Sequence, residues 1–458
     1  MKSFSAFLLI TTFSIVFGGT YSGGGGTIGD PYRIANAMDL CEIGVTSADF
    51  DSYFVLVNDI NMVGVTTFVP IGYYATTSLT SGVPFTGYFD GQGFAISNLT
   101  ITSNKPGIGV FGLVDSSDAV IKNVTVINPV FTTTSSSGRI GGLAGFCDAN
   151  TISNCHIINP AITSGGQEAG GLIGTPWSRP VKISDCSVQG GTILGKNRVG
   201  GFAGAISSSK VTVFRCWASA QVSSNGTSAS GSTEVGGFAG YINSTSGKIT
   251  IVSECFATGN VTGSPYSDNV GGFTGSNRGT IRNCFARGDV AGRSKVGGFS
   301  GYHGHNGTPT TVENCYSTGK LTGTGSDIGG FTGYLFTYTA YCNNCYWDAD
   351  TSEIAVSAEG LPLTTQQMFL QSNFTGWDFV SVWIMPRNDY PKLRFMYNPA
   401  DLDASEWVNF VDFAIFANAW QSQSGDANYD LACDLQLPAD GTVDAKDLAV
   451  FVDNWLTE

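Results

Sequence analysis

Charge is scarce in this 458-residue chain: only 13% of residues are Asp, Glu, Lys or Arg, and His occurs three times. No basic run or patch stands anywhere, which argues against nucleic-acid binding by counterion release. Beyond the N-terminus no apolar stretch reaches the ~18–20 uninterrupted residues that a membrane-spanning helix needs. Amphipathic helical periodicity is missing from the body of the chain, which disfavours helical solenoids and makes helix a minority element. A nucleophile elbow, a phosphate loop and an HExxH pair are likewise absent, so no familiar catalytic signature organises the chemistry.

What the chain has instead is glycine, 61 residues of it, with Ser, Thr and Asn crowding the middle and 42% hydrophobic content. That mixture belongs to strand-and-turn architectures with real cores. Met1-Lys2 followed by "FSAFLLITTFSIVFGG" reads as a secretory signal over residues 1–22, cleaved near Gly18 to Ser22, which places the mature protein outside the cell with no transmembrane segment. The net charge of −14 is local. Residues 398–458 hold twelve acids and one base, Lys446, while the rest of the chain is close to neutral.

Seven of the eleven cysteines, Cys155, Cys186, Cys216, Cys255, Cys284, Cys315 and Cys345, recur at intervals of 29 to 39 residues. A glycine motif keeps the same beat, from "IGGLAG" at Ile140 through "VGGFAG" at Val199 and Val235 to "IGGFTG" at Ile328. Such a period means stacked units, none able to bury its own apolar face. Short β-branched and aromatic runs bounded by Gly, Asn or Asp make each unit a coil of short strands, hence a parallel β-helix, right-handed by the crossover rule.

Alternation fixes the phase. Each ladder Cys and the residue two beyond it point inward, with Leu99 and Val124 holding the Cys place in earlier coils. The cysteines therefore read as buried free thiols acting as small hydrophobes, rather than as disulfides or metal ligands. Val199 and Phe202 both point inward if Gly200-Gly201 absorb a bend. His156, Ser187, Trp217, Phe256, Phe285, Tyr316 and Tyr346 then form an outer stripe: a platform for sugar rings or a partner protein, or else a row that long turns cover or that merely stacks on itself along the ladder.

"GGGGTIGDPYRIANAMDLCEIG", "YFDGQGFAISNLTI", the seven GG[LF]xG copies and "CYWDADTSEIAVSAEGLPLTTQQM" resemble the GLUG-motif repeat proteins of bacterial surfaces over residues 23–394. The resemblance implies an adhesin-like β-helix over residues 23–346. It also implies a C-terminal cap at 347–397, in which Trp377, Phe379 and Trp383 cover the open end of the core.

In the acidic tail, Asp401, Asp403, Ser405, Trp407, Asn409 and Asp412 fall at positions 1, 3, 5, 7, 9 and 12 of an EF-hand-type Ca²⁺ loop, Trp407 through its carbonyl; Glu406 replaces the usual Gly at position 6. Asp412 is followed by Phe413, Phe416 and Trp420, and Asp447 by Leu448, Phe451 and Trp455 at the same offsets, so each loop leads into a short helix. The second loop offers Asp440, Thr442 (carbonyl), Asp444 and Asp447 in register, with Asp434 reaching them by a longer excursion; Asp426, Asn428 and Asp430 either serve in its place or bind a separate ion. Twelve acids beside one base repel unless a cation joins them, and a 60-residue unit benefits from such a staple. The duplication resembles a dockerin module of planctomycete type over residues 398–458, which implies Ca²⁺ and a cohesin-like partner. Phe410-Val411 and Ala445-Lys446 stand at loop positions 10 and 11, where dockerins carry hydroxyl residues.

The expectation is thus a mainly β, non-catalytic, secreted or cell-surface β-helix that presents a repetitive surface to glycans or another cell and is attached through its acidic module. The alternative is a secreted polysaccharide lyase or glycoside hydrolase carried by the same module. That would need carboxylates, or a carboxylate with Arg or Lys, converging on one face. His303 and His305 in "YHGHNG" lack an evident third ligand.

Overall fold

The computed structural model describes residues 18–176, 178–207, 210–227, 233–245, 247–305, 309–336, 339–403, 407–436 and 440–456. Most of the predicted signal segment and Ser405 lie outside them. Gly18 to Ser22, where cleavage is expected, do not: Gly19 N–H and the Tyr21 hydroxyl both donate to Asp49 Oδ2, at 2.7 and 2.9 Å.

Parallel pairing between successive coils builds one 20-stranded wall and three eight-stranded walls. One coil runs through Lys210–Phe214, Trp217–Ala218, Gln221–Ser224, Glu234–Gly236 and Ala239–Asn243. Each strand pairs with its equivalent in the next coil, for example Val213↔Val252 and Val235↔Val270. The seven ladder cysteines are free and buried in one continuous core, and Val124 stands opposite Cys155 as expected. Cys155 N–H donates to Cys186 Sγ and Cys255 N–H to Cys284 Sγ, both at 3.4 Å, so the sulfurs are threaded in a row.

The residue before each ladder Cys adopts the left-handed conformation in every coil: Asn154, Asp185, Arg215, Glu254, Asn283, Asn314 and Asn344 have φ between 49° and 53°. Asn tolerates that conformation, and here its amides ladder between coils: Asn344 Nδ2 donates to Asn314 Oδ1, and Asn314 Nδ2 in turn donates to Asn283 Oδ1, each at 3.3 Å. Where the row lacks Asn, Arg215 forms an ion pair with Asp185 at 2.9 Å instead.

Val199 and Phe202 are both buried, so the double glycine does turn the chain inward at both. The need for glycine is contact rather than φ: a Cβ on Gly201 would lie 2.1 Å from the Gly237 carbonyl of the next coil, and one on Gly237 would lie 2.2 Å from that of Gly272. The same corner stacks Phe202, Phe238, Phe273, Phe299 and Phe331, with ring centroids 4.6–4.9 Å apart and nearly parallel. On the outside of the wall, Arg139, Glu168, Arg198 and Glu234 occupy one register row. Their ion pairs measure 2.6, 3.2 and 2.8 Å. A coil skipped in pairing would set like charges together, so alternation helps specify the stack. Burial holds the Glu234 carboxyl above its ordinary pKa although Arg198 pulls it down.

Both ends of the core are closed. At the N-terminal end helix α1 (Ala37–Val45), capped by the Asn36 side chain, buries Leu40 and Ile43; the sequence reading did not anticipate it. At the other end the cover is Trp347, buried against Gly330, with its Nε1 donating to the Ile354 carbonyl at 3.0 Å. Residues 356–358 then pair with the last coil through Gly330 N–H to the Val356 carbonyl and Ala358 N–H to the Thr332 carbonyl. His303 is fully buried, its Nδ1 2.7 Å from Glu359 Oε2, so it anchors this closure rather than forming a ligand pair with His305.

Candidate functional site

The outer aromatic stripe lies where alternation puts it but is not open to ligands. Phe256, Phe285, Tyr316 and Tyr346 point away from the core and are nonetheless buried, beneath Met368, Phe374, Trp377, Trp383, Tyr390 and Leu393. The segment expected to cover the core's end therefore folds back along the flank of the 20-stranded wall. The stripe also stacks along the ladder, with Phe256 and Phe285 4.9 Å apart at 2° and Phe285 and Tyr316 5.1 Å apart at 10°. Buried Asp348 pins the cover, accepting from the Tyr390 hydroxyl at 2.6 Å and from Thr365 Oγ1 at 2.7 Å. Tyr316 donates to the Pro391 carbonyl at 2.6 Å, and Arg287 pairs with Asp389 at 2.8 Å. Only the N-terminal part of the stripe stays outside this cover. There His156 Nδ1 lies 2.8 Å from Ser187 Oγ, and burial holds the imidazole below its ordinary pKa against the pull of Asp185.

A second polar constellation escaped the sequence reading. Asp115 and Asp148 stand opposite each other on adjacent coils. Arg179 pairs with Asp115, and Ser178 N–H and Oγ donate to Asp148 Oδ2 at 2.7 and 2.9 Å. Asp115, Asp148 and Ser178 line a cleft of about 500 Å³ whose other wall includes Tyr74, Leu79 and Pro84. The signal was present: aligning "IGVFGLVD" with "IGGLAGFCD" on the glycine corner puts the two Asp at one repeat position.

In the acidic tail, helices α2 (Ala349–Ser352) and α3 (Thr365–Met368) of the preceding segment give way to α4 (Phe410–Ala419) and α5 (Ala445–Asp453). Asp401, Asp403 and Asp412 come together, one carboxylate oxygen of each within 4.8 Å of the others, and Asp401 and Asp412 are buried. Asp412 accepts from Leu402, Asp403 and Asn409 N–H at 2.7, 3.0 and 2.8 Å, wrapping the loop around the N-terminus of α4. The Trp407 carbonyl accepts from Asn409 Nδ2 at 3.0 Å. Asp447 repeats the Asp412 pattern, accepting from Gln436 and Asp444 N–H, both at 2.8 Å.

The remaining second-loop groups are engaged differently. Asp434 accepts from Gly441 N–H at 2.8 Å and from the Tyr429 hydroxyl at 3.1 Å. Asp440 accepts from Thr442 Oγ1 at 2.5 Å and pairs with Lys446 at 2.9 Å, contacts that lower its pKa to about 2. Asp444 caps α5 through Lys446 N–H at 2.7 Å. The two hydrophobic helices pack on each other through Phe416 and Phe451, 5.1 Å apart, while Trp407, Phe410 and Val411 stay exposed.

Comparison with known proteins adds the following. The family model described as the GLUG motif matches residues 292–322. Halomucin of Haloquadratum walsbyi is 30% identical over 168 residues, 35% of this chain and 2% of that protein. A Gly-rich membrane protein of Evansella cellulosilytica is 32% identical over 102 residues, 20% of this chain and 12% of that protein. This chain thus matches only small fractions of those relatives. Among solved structures, one described as an immunoglobulin A1 protease from Bacteroides ovatus aligns with a TM-score of 0.49 and 18% identity, over 82% of this chain and 95% of that one. The chain is a repetitive β-helix carrying a GLUG motif. Among the described residues no helix is long and apolar enough to cross a membrane.

Proposed function

We propose that this chain is a non-catalytic, exported surface protein, a right-handed β-helix displayed for adhesion or glycan binding and attached through a Ca²⁺-dependent, dockerin-like module at 398–458. The observation that carries the reading is the convergence of Asp401, Asp403 and Asp412 at the head of α4. Three carboxylates so close, two of them buried, repel one another, and a hard divalent cation relieves that repulsion. Asp401, Asp403, Ser405, Asn409, Asp412 and the Trp407 carbonyl would hold one Ca²⁺. Asp434, Asp440, Asp444, Asp447 and the Thr442 carbonyl would hold a second once Lys446 gave up Asp440. Exposed Phe410 and Val411 beside the first loop suit a cohesin-like partner with an apolar seat.

Titrating Ca²⁺ into the full chain tests this. We expect heat of binding and an upward shift of the module's melting transition, worth about 2.7 kcal/mol at a hundred times Kd. Asp403→Asn should weaken the first site at least about tenfold, as loss of one charged ligand from a small set does. No heat and an unmoved transition would remove the metal assignment and with it the attachment.

The cleft lined by Asp115 and Asp148, with Arg179 paired to Asp115, favours a second reading, a secreted polysaccharide lyase or glycoside hydrolase. Paired carboxylates, or a carboxylate with Arg, are what glycosidic cleavage requires. Release of reducing or unsaturated ends from a polysaccharide, abolished by Asp148→Asn, would establish it; an undigested polymer would dismiss it.

A further inference from the structure

The solenoid departs from the repeat between its early coils. Ile71 and Phe85 both bridge to the strand Phe111–Asp115, and between them the chain leaves the coil as an antiparallel hairpin, Tyr73–Tyr74 against Gly82–Val83. Insertions into stacked repeats gather on one face, and that face is commonly the binding face. Here the insertion builds walls. On one side of the hairpin lies a cleft of about 420 Å³. On the other lies the cleft of about 500 Å³ that holds Asp115, Asp148 and Ser178. Tyr74 lines both. A third cleft, about 290 Å³, begins where the second ends: Ser116 follows Asp115 and Thr86 follows Pro84 by two residues. Its lining includes exposed Asp51 and Asp118 and the half-buried rings of Tyr53 and Tyr88, 5.4 Å apart at 30°.

These clefts follow one another around the perimeter of the N-terminal coils, from Thr100–Ile108 past Leu113–Asp115 to Ser116 and Asp118. The segment carrying Trp377 and Trp383 covers the outer stripe of the 20-stranded wall, whereas Asp115 and Asp148 stand on an eight-stranded wall. The chemistry of the clefts is selective. The Asp115 and Arg179 side chains are each about two-fifths exposed at 42% and 43%, and a carboxylate beside a planar guanidinium presents acceptor and donor at the separation of vicinal hydroxyls. Tyr and Leu walls supply apolar contact for C–H faces. Asp51, Asp115, Asp118 and Asp148 line the second and third clefts, against Arg179 paired to Asp115, Lys105 in the first cleft and Lys122 over the Tyr88 ring, a balance that disfavours uronates and sulfates.

We propose that this groove around the N-terminal coils binds an extended neutral glycan, with Asp115, Arg179, Asp51 and Asp118 as its polar contacts. The proposal rests on the surface-display reading and specifies where the sugar sits.

The test uses the full chain with two neutral probes, cellohexaose and mannohexaose, and one anionic probe, oligogalacturonate, by isothermal titration. We expect one neutral probe to bind and the anionic probe to be ignored. Asp115→Ala/Arg179→Ala, which removes the pair together, and Asp51→Ala/Asp118→Ala, at exposed positions, should each weaken binding about tenfold. Thr80→Trp, at an exposed residue of the hairpin, should fill the central cleft and weaken binding at least as much without touching the core. Binding of a neutral probe that none of the three variants changes would overturn the groove and leave surface display standing. Binding of oligogalacturonate in preference, or of no neutral probe, would also overturn it. Neutral binding accompanied by chain cleavage would support the groove and sink the non-catalytic reading.

Discussion

Trp383→Ala should peel the segment 364–397 from the flank while leaving the solenoid folded. Trp383 is fully buried and sits at the centre of the flank cluster: its ring is 4.3 Å from Trp377, 6.1 Å from Tyr316 and 6.4 Å from Phe285. Truncating a buried Trp costs about 3–5 kcal/mol, more than a peripheral cover of this size is expected to hold in reserve. The variant should show a red-shifted Trp emission, strong binding of a hydrophobic dye to the uncovered Phe256–Tyr346 stack, and rapid proteolysis confined to residues after Leu363. Acid should do the same more gently. Burial pushes the Asp389 carboxyl up, but Arg287, the Tyr390 N–H and Lys392 pull it down further, so its folded pKa lies below the unfolded value. Its contribution is therefore complete above the ordinary carboxylate range near pH ~4 and is lost as pH falls through the depressed value. Asp389→Asn should remove that part of the acid response. An unaltered digestion pattern in Trp383→Ala would mean that the cover is held elsewhere.

This flank is also where sequence reasoning reached its limit. The thiol row and the glycine corner were legible because each demand recurs: Cys216 and Cys255 fill the same slot, and Gly201 and Gly237 meet the same carbonyl one coil on. Alternation likewise told which way Phe285 points, but not what lies on top of it. The cover comes from Trp377 and Trp383, about a hundred residues later in the chain, through a non-repeating contact that no period encodes. The left-handed corner was hidden for a related reason. Asn154, Asn283, Asn314 and Asn344 advertise it, yet Arg215 and Glu254 occupy the same conformation and break the pattern by eye. In the tail, EF-hand spacing was enough to bring Asp401, Asp403 and Asp412 into one group. The second loop carries two extra residues, and Lys446, in the first turn of α5 but next to Asp440 in space, pairs with a carboxylate that spacing alone had assigned to metal.

Replacing one rung of the thiol row tests the core itself, and Cys255→Asp should have the largest effect of any single substitution. Cys255 lies between Cys216 and Cys284, wholly buried, with apolar neighbours on every inward side. A carboxylate there has no cation to meet and cannot reach water, so either it stays protonated at a cost of several kcal/mol or the coil opens. We expect insoluble protein, or a melting temperature lowered by more than about 10 °C. Cys255→Val keeps the volume near that of the thiol and matches the Val124 rung, so it should cost under about 1.5 kcal/mol. The contrast separates a packing role from a chemical one: were the thiols needed as ligands or disulfides, Val would be as damaging as Asp. Burial pushes the Cys155, Cys186 and Cys284 thiols well above their ordinary pKa, so they remain protonated and unreactive at neutral pH. Because burial keeps the reagent from every ladder thiol whatever its protonation, alkylation of the native chain should label no cysteine besides Cys41 and Cys342, the two that are not fully buried, whereas all eleven react after denaturation. Rapid native labelling of any ladder thiol would show that the coils do not stack as a closed core.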